Sequence, residues 1–292
     1  FLSGIFCIIA IARPQIGTHD EILKSQGLDI VFLLDVSNSM LAEDVVPSRI
    51  KKAKHILRNF LDRLSGDRVG VVAFAGSAFP AIPATTDYDF VKQTIESLDE
   101  TSIQNQGSDL AKALQVAVDV LDRGGVNTET DDNAEAAAGS AGSRVIIILS
   151  DGESHEGAEA RFADSLNKKG IQVYSIGVGS LKGAPIPFRD ASGQLRGYKK
   201  DQSGNMVLTK LESANLEAVS SKTGGRYYSA SSNEGEIEEI FGILSGLDRS
   251  EGGSRHVVVY DEMFQYPLFV AILLLIIAVY LSDRRRFILK NA

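Results

Sequence analysis

Five short apolar runs limit what this chain can fold into more than any other feature. They are Asp29 to Leu34 (DIVFLL), Val69 to Phe74 (VGVVAF), Val145 to Leu149 (VIIIL), Val173 to Val178 (VYSIGV) and the shorter Arg226 to Ser229. Their apolarity is continuous rather than alternating, as expected of strands buried on both faces in a parallel sheet covered by helices. Between the first two runs, Ile50, Ala53, Leu57, Phe60, Leu61 and Leu64 recur at helical spacing, and Ala111, Leu114, Val118 and Leu121 do so before the third. Strands alternating with helices predict an α/β fold with a doubly wound, Rossmann-like, mostly parallel sheet. Two regions interrupt the series. Gly124 to Ser143 is rich in Gly, Ala, Ser and acids and reads as a surface loop, while Ala184 to Leu208 carries Ser192-Gly193 and Ser203-Gly204 turns and reads as a hairpin-like elaboration.

The first run leads directly into Asp35-Val36-Ser37-Asn38-Ser39, and the third into Asp151-Gly152. In a parallel sheet both aspartates emerge at the C-terminal edge, where α/β folds bind ligands, so they are expected to be neighbours. A carboxylate with two hydroxyls one residue apart offers three hard oxygens to one point. A small set of hard oxygens suits Mg²⁺, with Mn²⁺ or Ca²⁺ as substitutes, better than Zn²⁺. The competing reading is a capping cluster, because Ser and Asp after a strand often cap the next helix. Capping alone does not bring a second aspartate alongside.

Composition excludes several functions. The chain has 292 residues with a net charge of −8 and no Lys/Arg stripe before its last ten residues, which argues against nucleic-acid binding. The single cysteine, Cys7, permits neither a disulfide framework nor a cysteine metal site. His19, His55, His155 and His256 stand singly. His155-Glu156 does not extend to H-E-x-x-H, because position 159 is Glu159. A phosphate-cradling G-x-x-x-x-G-K-[ST] and a G-x-S-x-G elbow are both absent.

Two apolar segments point to a membrane. Pro267 to Leu281 (PLFVAILLLIIAVYL) has no charge, and Phe264 and Tyr266 extend it, so residues 264–282 are expected to form a transmembrane helix. The basic cluster Arg284-Arg285-Arg286 and Lys290 follows, whereas Asp261 and Glu262 precede it. This asymmetry places residues 283–292 in the cytoplasm as a basic tail and the large domain on the other side. Phe1 to Ala12 (FLSGIFCIIAIA) is expected to be the latter half of another transmembrane helix, spanning residues 1–14 and beginning before residue 1.

The D-x-S-x-S spacing after a strand resembles the metal-ion-dependent adhesion site (MIDAS) of von Willebrand factor type A (VWA) domains, and the resemblance covers residues 28–245. In that family a Thr from a second loop and an Asp after a later strand also touch the ion. The matching loop here is Gln106-Gly107-Ser108-Asp109-Leu110, so Ser108 stands where Thr is usual, and the Asp is Asp151. Thr85 and Thr86 are rivals to Ser108, and Ser108 is alternatively the N-cap of a helix from Leu110. The chain is more similar still to the membrane-bound Bat aerotolerance proteins, most of all their BatB branch. The resemblance rests on Ala12-Arg13-Pro14-Gln15, DVSNSMLAED (Asp35 to Asp44), FAGSAF (Phe74 to Phe79), DGESHEG (Asp151 to Gly157) and GAPIP (Gly183 to Pro187).

That resemblance implies a bacterial inner-membrane protein with a periplasmic VWA domain. It would work with BatA-like relatives and a MoxR-type AAA+ ATPase in stress tolerance. The expected metal ligands are Asp35, Ser37, Ser39, Ser108 and Asp151. Glu153, His155 and Glu156 are candidates for contacting a partner protein, whose Asp or Glu would complete the ion's coordination. Two other readings stand beside this non-enzymatic one. One is a metal-dependent hydrolase with Glu153 as general base; the other is a membrane scaffold whose metal site goes unused.

Overall fold

The computed structural model describes residues 2–12, 15–24, 27–124, 143–153, 159–190, 192–201, 203–230, 235–247 and 254–290. In chain order its elements begin with α1 (Leu2–Ile11), β1 (Gln15–Lys24), β2 (Asp29–Asp35), α2 (Arg49–Leu61), β3 (Arg68–Phe74) and β4 (Ala78–Thr85). They continue with α3 (Tyr88–Ser97), α4 (Leu110–Gly124), β5 (Arg144–Ser150), α5 (Glu159–Lys168), β6 (Ile171–Gly177), β7 (Ala184–Pro185), β8 (Pro187–Arg189) and β9 (Leu195–Tyr198). Last come β10 (Leu208–Thr209), α6 (Ser213–Lys222), β11 (Tyr227–Ser229), α7 (Gly235–Gly246), β12 (Ser254–Glu262) and α8 (Gln265–Lys290). Two compact units result, Ser25–Gly253 and a second made of Phe1–Lys24 with Ser254–Ala292.

The larger unit is built on one six-stranded sheet in the order β11-β6-β5-β2-β3-β4. All pairings are parallel except that of β4, which runs antiparallel to β3 at the edge. Every residue of β2 is buried, and alternate side chains enter opposite cores. Ile30, Phe32 and Leu34 pack with Ile56, Leu57 and Phe60 of α2 and with α7, while Val31 and Leu33 pack with Leu114, Ala117 and Val118 of α4 and with α5 and α6. Burial on both faces is what the undiluted apolar runs encode. At the far edge, Asp29 and Arg68, aligned in register, form a two-pronged ion pair at 2.8 and 2.6 Å.

Strand order fixes where a ligand can sit. After β2 the chain builds outward through β3 and β4, then returns to the other flank of β2 with β5, β6 and β11. The reversal falls between β2 and β5, and a crevice opens outside the carboxyl ends of such adjacent strands. Asp35 ends β2, and Asp151 follows directly on β5.

The edge strand β4 was not expected. Its exposure is mixed, and Pro80 and Pro83 interrupt it, a pattern that reads poorly as a strand and is tolerated at an antiparallel edge. It also settles the position of Thr85, which pairs with Val69 at the start of β3 and therefore lies at the sheet edge opposite the aspartates. Between β6 and α6, two small antiparallel pairs, β7 with β10 and β8 with β9, form the elaboration. Nearly all of the acidic, Gly-rich segment around residues 125–142 lies outside the described residues.

In the smaller unit β1 pairs antiparallel with β12, and α1 packs against α8. The helix α8 is 26 residues long, and Phe269, Ile272, Leu275, Ile276 and Tyr280 are exposed along it. Among the described residues no helix is long and apolar enough to cross a membrane, so the two expected spans are not seen as such.

Candidate metal centre

Asp35 is wholly buried at the end of β2, and its two oxygens are held separately. Oδ1 accepts from the backbone N–H of Ser37 at 2.9 Å. Oδ2 accepts from Ser150 Oγ at 2.6 Å and from Ser108 Oγ at 3.4 Å. A 3-10 turn over Asn38–Leu41 follows, and its N-cap, Ser37, spends no side-chain hydrogen bond on capping. The hydroxyls of Ser37 and Ser39 instead meet each other at 2.9 Å. Nor does Ser108 cap α4, since Lys112 N–H donates to Asp109 Oδ1 at 3.0 Å. The three hydroxyls are therefore turned into the crevice rather than used by helix ends.

The second loop is fixed by close backbone approach. Gly76 N–H donates to Asn105 O at 3.0 Å, and a Cβ at Gly76 would lie 2.7 Å from Gln106 O, so only glycine fits. Gln106 clamps the arrangement. Its Nε2 donates to Glu100 O and Ile103 O at 2.9 and 2.7 Å, and its Oε1 accepts from Asn38 N–H at 3.0 Å. This ties the Ser108 loop to the Ser37–Ser39 turn.

Asp151 is also wholly buried. Its Oδ2 accepts from Arg49 Nη1 at 2.8 Å and its Oδ1 from Glu153 N–H at 3.2 Å. Gly152 holds φ at +74°, and a Cβ there would lie 2.1 Å from Glu212 O, so the turn that aims Asp151 requires glycine. Glu153 faces the elaboration, where its Oε1 accepts from Thr209 Oγ1 at 2.6 Å and from Lys210 N–H at 2.9 Å. His155 and Glu156 lie outside the described residues. An open cleft of about 140 Å³ is lined by Ser37, Ser39, Gln106, Ser108, Glu153 and, from the elaboration, Ile186 and Lys199, while Asp35 and Asp151 are buried outside its lining.

The electrostatics are those of a site short of positive charge. Burial, and then the negative charge of Asp151, push the Asp35 carboxyl up to about 7 against the opposing hydrogen bonds of Ser150 and Ser37. Burial likewise raises Asp151, opposed by a hydrogen bond from Ser39 and by the Arg49 charge. Two carboxylates that resist ionising together, ringed by three hydroxyls, make a donor set that fits a hard divalent cation. Among the described residues no cluster of three or more His, Cys, Asp or Glu could hold a metal, so the hydroxyls are essential to this reading. Asp35, Ser37, Ser39, Ser108 and Asp151 are thus brought together. Ser150, Arg49, Asp44 and Thr209 support them and were not foreseen: Arg49 sits in the run RIKKAK, which reads as a solvated helix face, and Thr209 lies far along the chain.

Comparison with known proteins identifies relatives of this fold. The sequence pattern of the von Willebrand factor type A domain matches residues 30–153. The crystal structure of an aerotolerance-related membrane protein from Bacteroides fragilis is similar, with 32% identity and a TM-score of 0.65, covering 76% of this chain and 100% of that one. BatB from Bacteroides thetaiotaomicron is similar at 33% identity and a TM-score of 0.63, covering 75% of this chain and 100% of that one. Of curated relatives, an uncharacterized protein of Borreliella burgdorferi is 29% identical over 78% of this chain and 61% of its own length. A UPF0353 protein of Nocardia farcinica is 29% identical over 85% of this chain and 69% of its own length. The chain therefore spans about 61 to 69% of these two curated relatives.

Proposed function

The chain belongs to the von Willebrand factor type A domain family, in its Bat aerotolerance branch, and from that premise we propose that it binds a divalent cation which captures an acidic side chain of a partner protein. Asp35, Ser37, Ser39, Ser108 and Asp151 would hold the ion, Mg²⁺ first and Mn²⁺ or Ca²⁺ as substitutes. The observation that carries this reading is the meeting of two fully buried carboxylates with three hydroxyls that line an open cleft and are not spent on helix caps. The bound ion supplies a concentrated positive charge with a position left for an external carboxylate.

We read the site as non-enzymatic. Among the described residues beside Asp151, the candidate general base is Glu153, and its Oε1 is engaged by Thr209 and Lys210. Binding without turnover needs no free base, whereas metal-assisted hydrolysis does. Membrane anchoring is part of the same proposal. Its supports are the uncharged stretch from Pro267 to Leu281, the exposed apolar side chains of α8, the basic residues beyond it, and the naming of the Bacteroides fragilis relative as a membrane protein. With the basic end cytoplasmic, the domain would face the periplasm of a bacterial inner membrane. Partners there would be other Bat-family membrane proteins, with a MoxR-type ATPase reached from the cytoplasmic side.

Capture of co-purifying proteins from solubilised membranes, with and without EDTA, tests the proposal. Loss of partners on chelation, and equally in Asp35→Ala, is expected. Identical capture in all three conditions contradicts it.

A further inference from the structure

Arg49 is fully buried, and each of its five N–H groups has an acceptor. Nε and Nη2 grip Asp44 at 2.8 Å each, Nη2 also donates to Thr209 O at 3.1 Å, and Nη1 donates to Thr209 Oγ1 at 2.9 Å and Asp151 Oδ2 at 2.8 Å. The cradle is tight on every side. Asp44 is itself held by Ser180 N–H at 2.8 Å, and a Cβ on Gly179 would approach Nε to 2.8 Å. A buried ion network of this kind is weak evidence for stability, because replacing the whole network by apolar residues of similar volume is often neutral or stabilising, although removing one partner alone is costly. Its placement directly behind Asp151 points instead to the metal centre.

We propose that Arg49 is a positioning residue that holds Asp151 Oδ2 away from the ion and so leaves the ion with positive charge for an external carboxylate. This inference rests on the metal-binding reading. Asp151 has both oxygens committed, Oδ2 to Arg49 and Oδ1 to Glu153 N–H. It therefore cannot swing in as a two-oxygen ligand without breaking a buried ion pair. Arg49 is shared between Asp44 and Asp151 and offsets only part of the Asp151 charge, so a divalent cation meets less than the full negative charge of Asp35 and Asp151 together. A site that neutralises the ion less holds it more weakly and leaves it more positive charge with which to attract a partner's Asp or Glu. Through Thr209 the same guanidinium also fastens β10, whose β7 partner strand leads into Ile186 on the cleft wall.

The test is calorimetric titration of MgCl₂ and MnCl₂ into the intact chain, alongside thermal melting without metal. Arg49→Met is expected to bind the ions about tenfold more tightly, because Asp151 is released towards them. Arg49→Lys keeps the charge but not the fork, and is expected to gain about threefold. Both are expected to melt lower than wild type when metal-free. Tighter binding in a less stable protein is an outcome a merely structural role does not produce. Should Arg49→Met fail to fold, Arg49→Lys decides alone. Ion affinity equal to or weaker than wild type in the folded variants overturns the inference and leaves the proposed function standing. No ion binding by wild type overturns both.

Discussion

Ser150 Oγ lies 2.6 Å from Asp35 Oδ2, joining the ends of the two central strands β5 and β2 through a buried hydroxyl. The same oxygen accepts from Gly152 N–H at 2.9 Å, so one serine holds both the Asp35 carboxylate and the turn that presents Asp151. Removing it strands two buried polar groups. Ser150→Ala is expected to destabilise the metal-free chain by ~1–3 kcal/mol, read as a lower midpoint in denaturant with an unchanged slope. A midpoint equal to wild type contradicts this role.

The raised Asp35 carboxyl makes metal-free stability depend on pH. An acid whose pKa is higher folded than unfolded binds its proton more tightly in the fold, so its contribution is complete below the ordinary carboxylate value and fades as pH rises through about 7. The metal-free chain is therefore expected to melt lower at about pH 8 than at about pH 5.5, with Asp35→Asn flattening the slope. Saturating Mg²⁺ is expected to offset the loss at the higher pH, because the ion replaces the missing proton. Melting that rises steadily over this range in the metal-free chain contradicts the assignment.

Ser108 contacts Asp35 only at 3.4 Å, the longest of the contacts around that carboxylate. A threonine hydroxyl at the same place is better fixed, since its branched Cβ restricts χ1. Ser108→Thr is expected to bind Mn²⁺ as tightly as wild type or a few-fold more tightly, and Ser108→Ala a few-fold more weakly, at similar melting temperatures. Equal affinity in wild type and both variants removes Ser108 from the ligand set.

How far the sequence told this in advance differs from element to element. The buried strands were legible because both faces of β2, β5 and β6 are covered, which leaves unbroken runs such as VIIIL. Asp35 and Asp151 were legible because the first follows such a run directly and the second follows one after a single serine, and a parallel sheet puts both at one edge. The edge strand β4 was not, since Pro80 and Pro83 and its half-exposed face give it neither a continuous nor an alternating pattern. Arg49 was hidden for a related reason. A buried arginine among Lys51, Lys52 and Lys54 looks the same in sequence as a solvated one, and only Asp44, Asp151 and Thr209 converging from distant segments tell them apart.

The central claim is that these five residues hold one divalent cation, and the most direct measurement is the number of Mn²⁺ ions bound per intact chain by equilibrium dialysis. Wild type is expected to bind one ion that Mg²⁺ displaces, and Asp35→Ala none at the same concentrations, with both proteins giving the same far-ultraviolet circular dichroism. An equal count in the two proteins, or none in wild type, contradicts the claim.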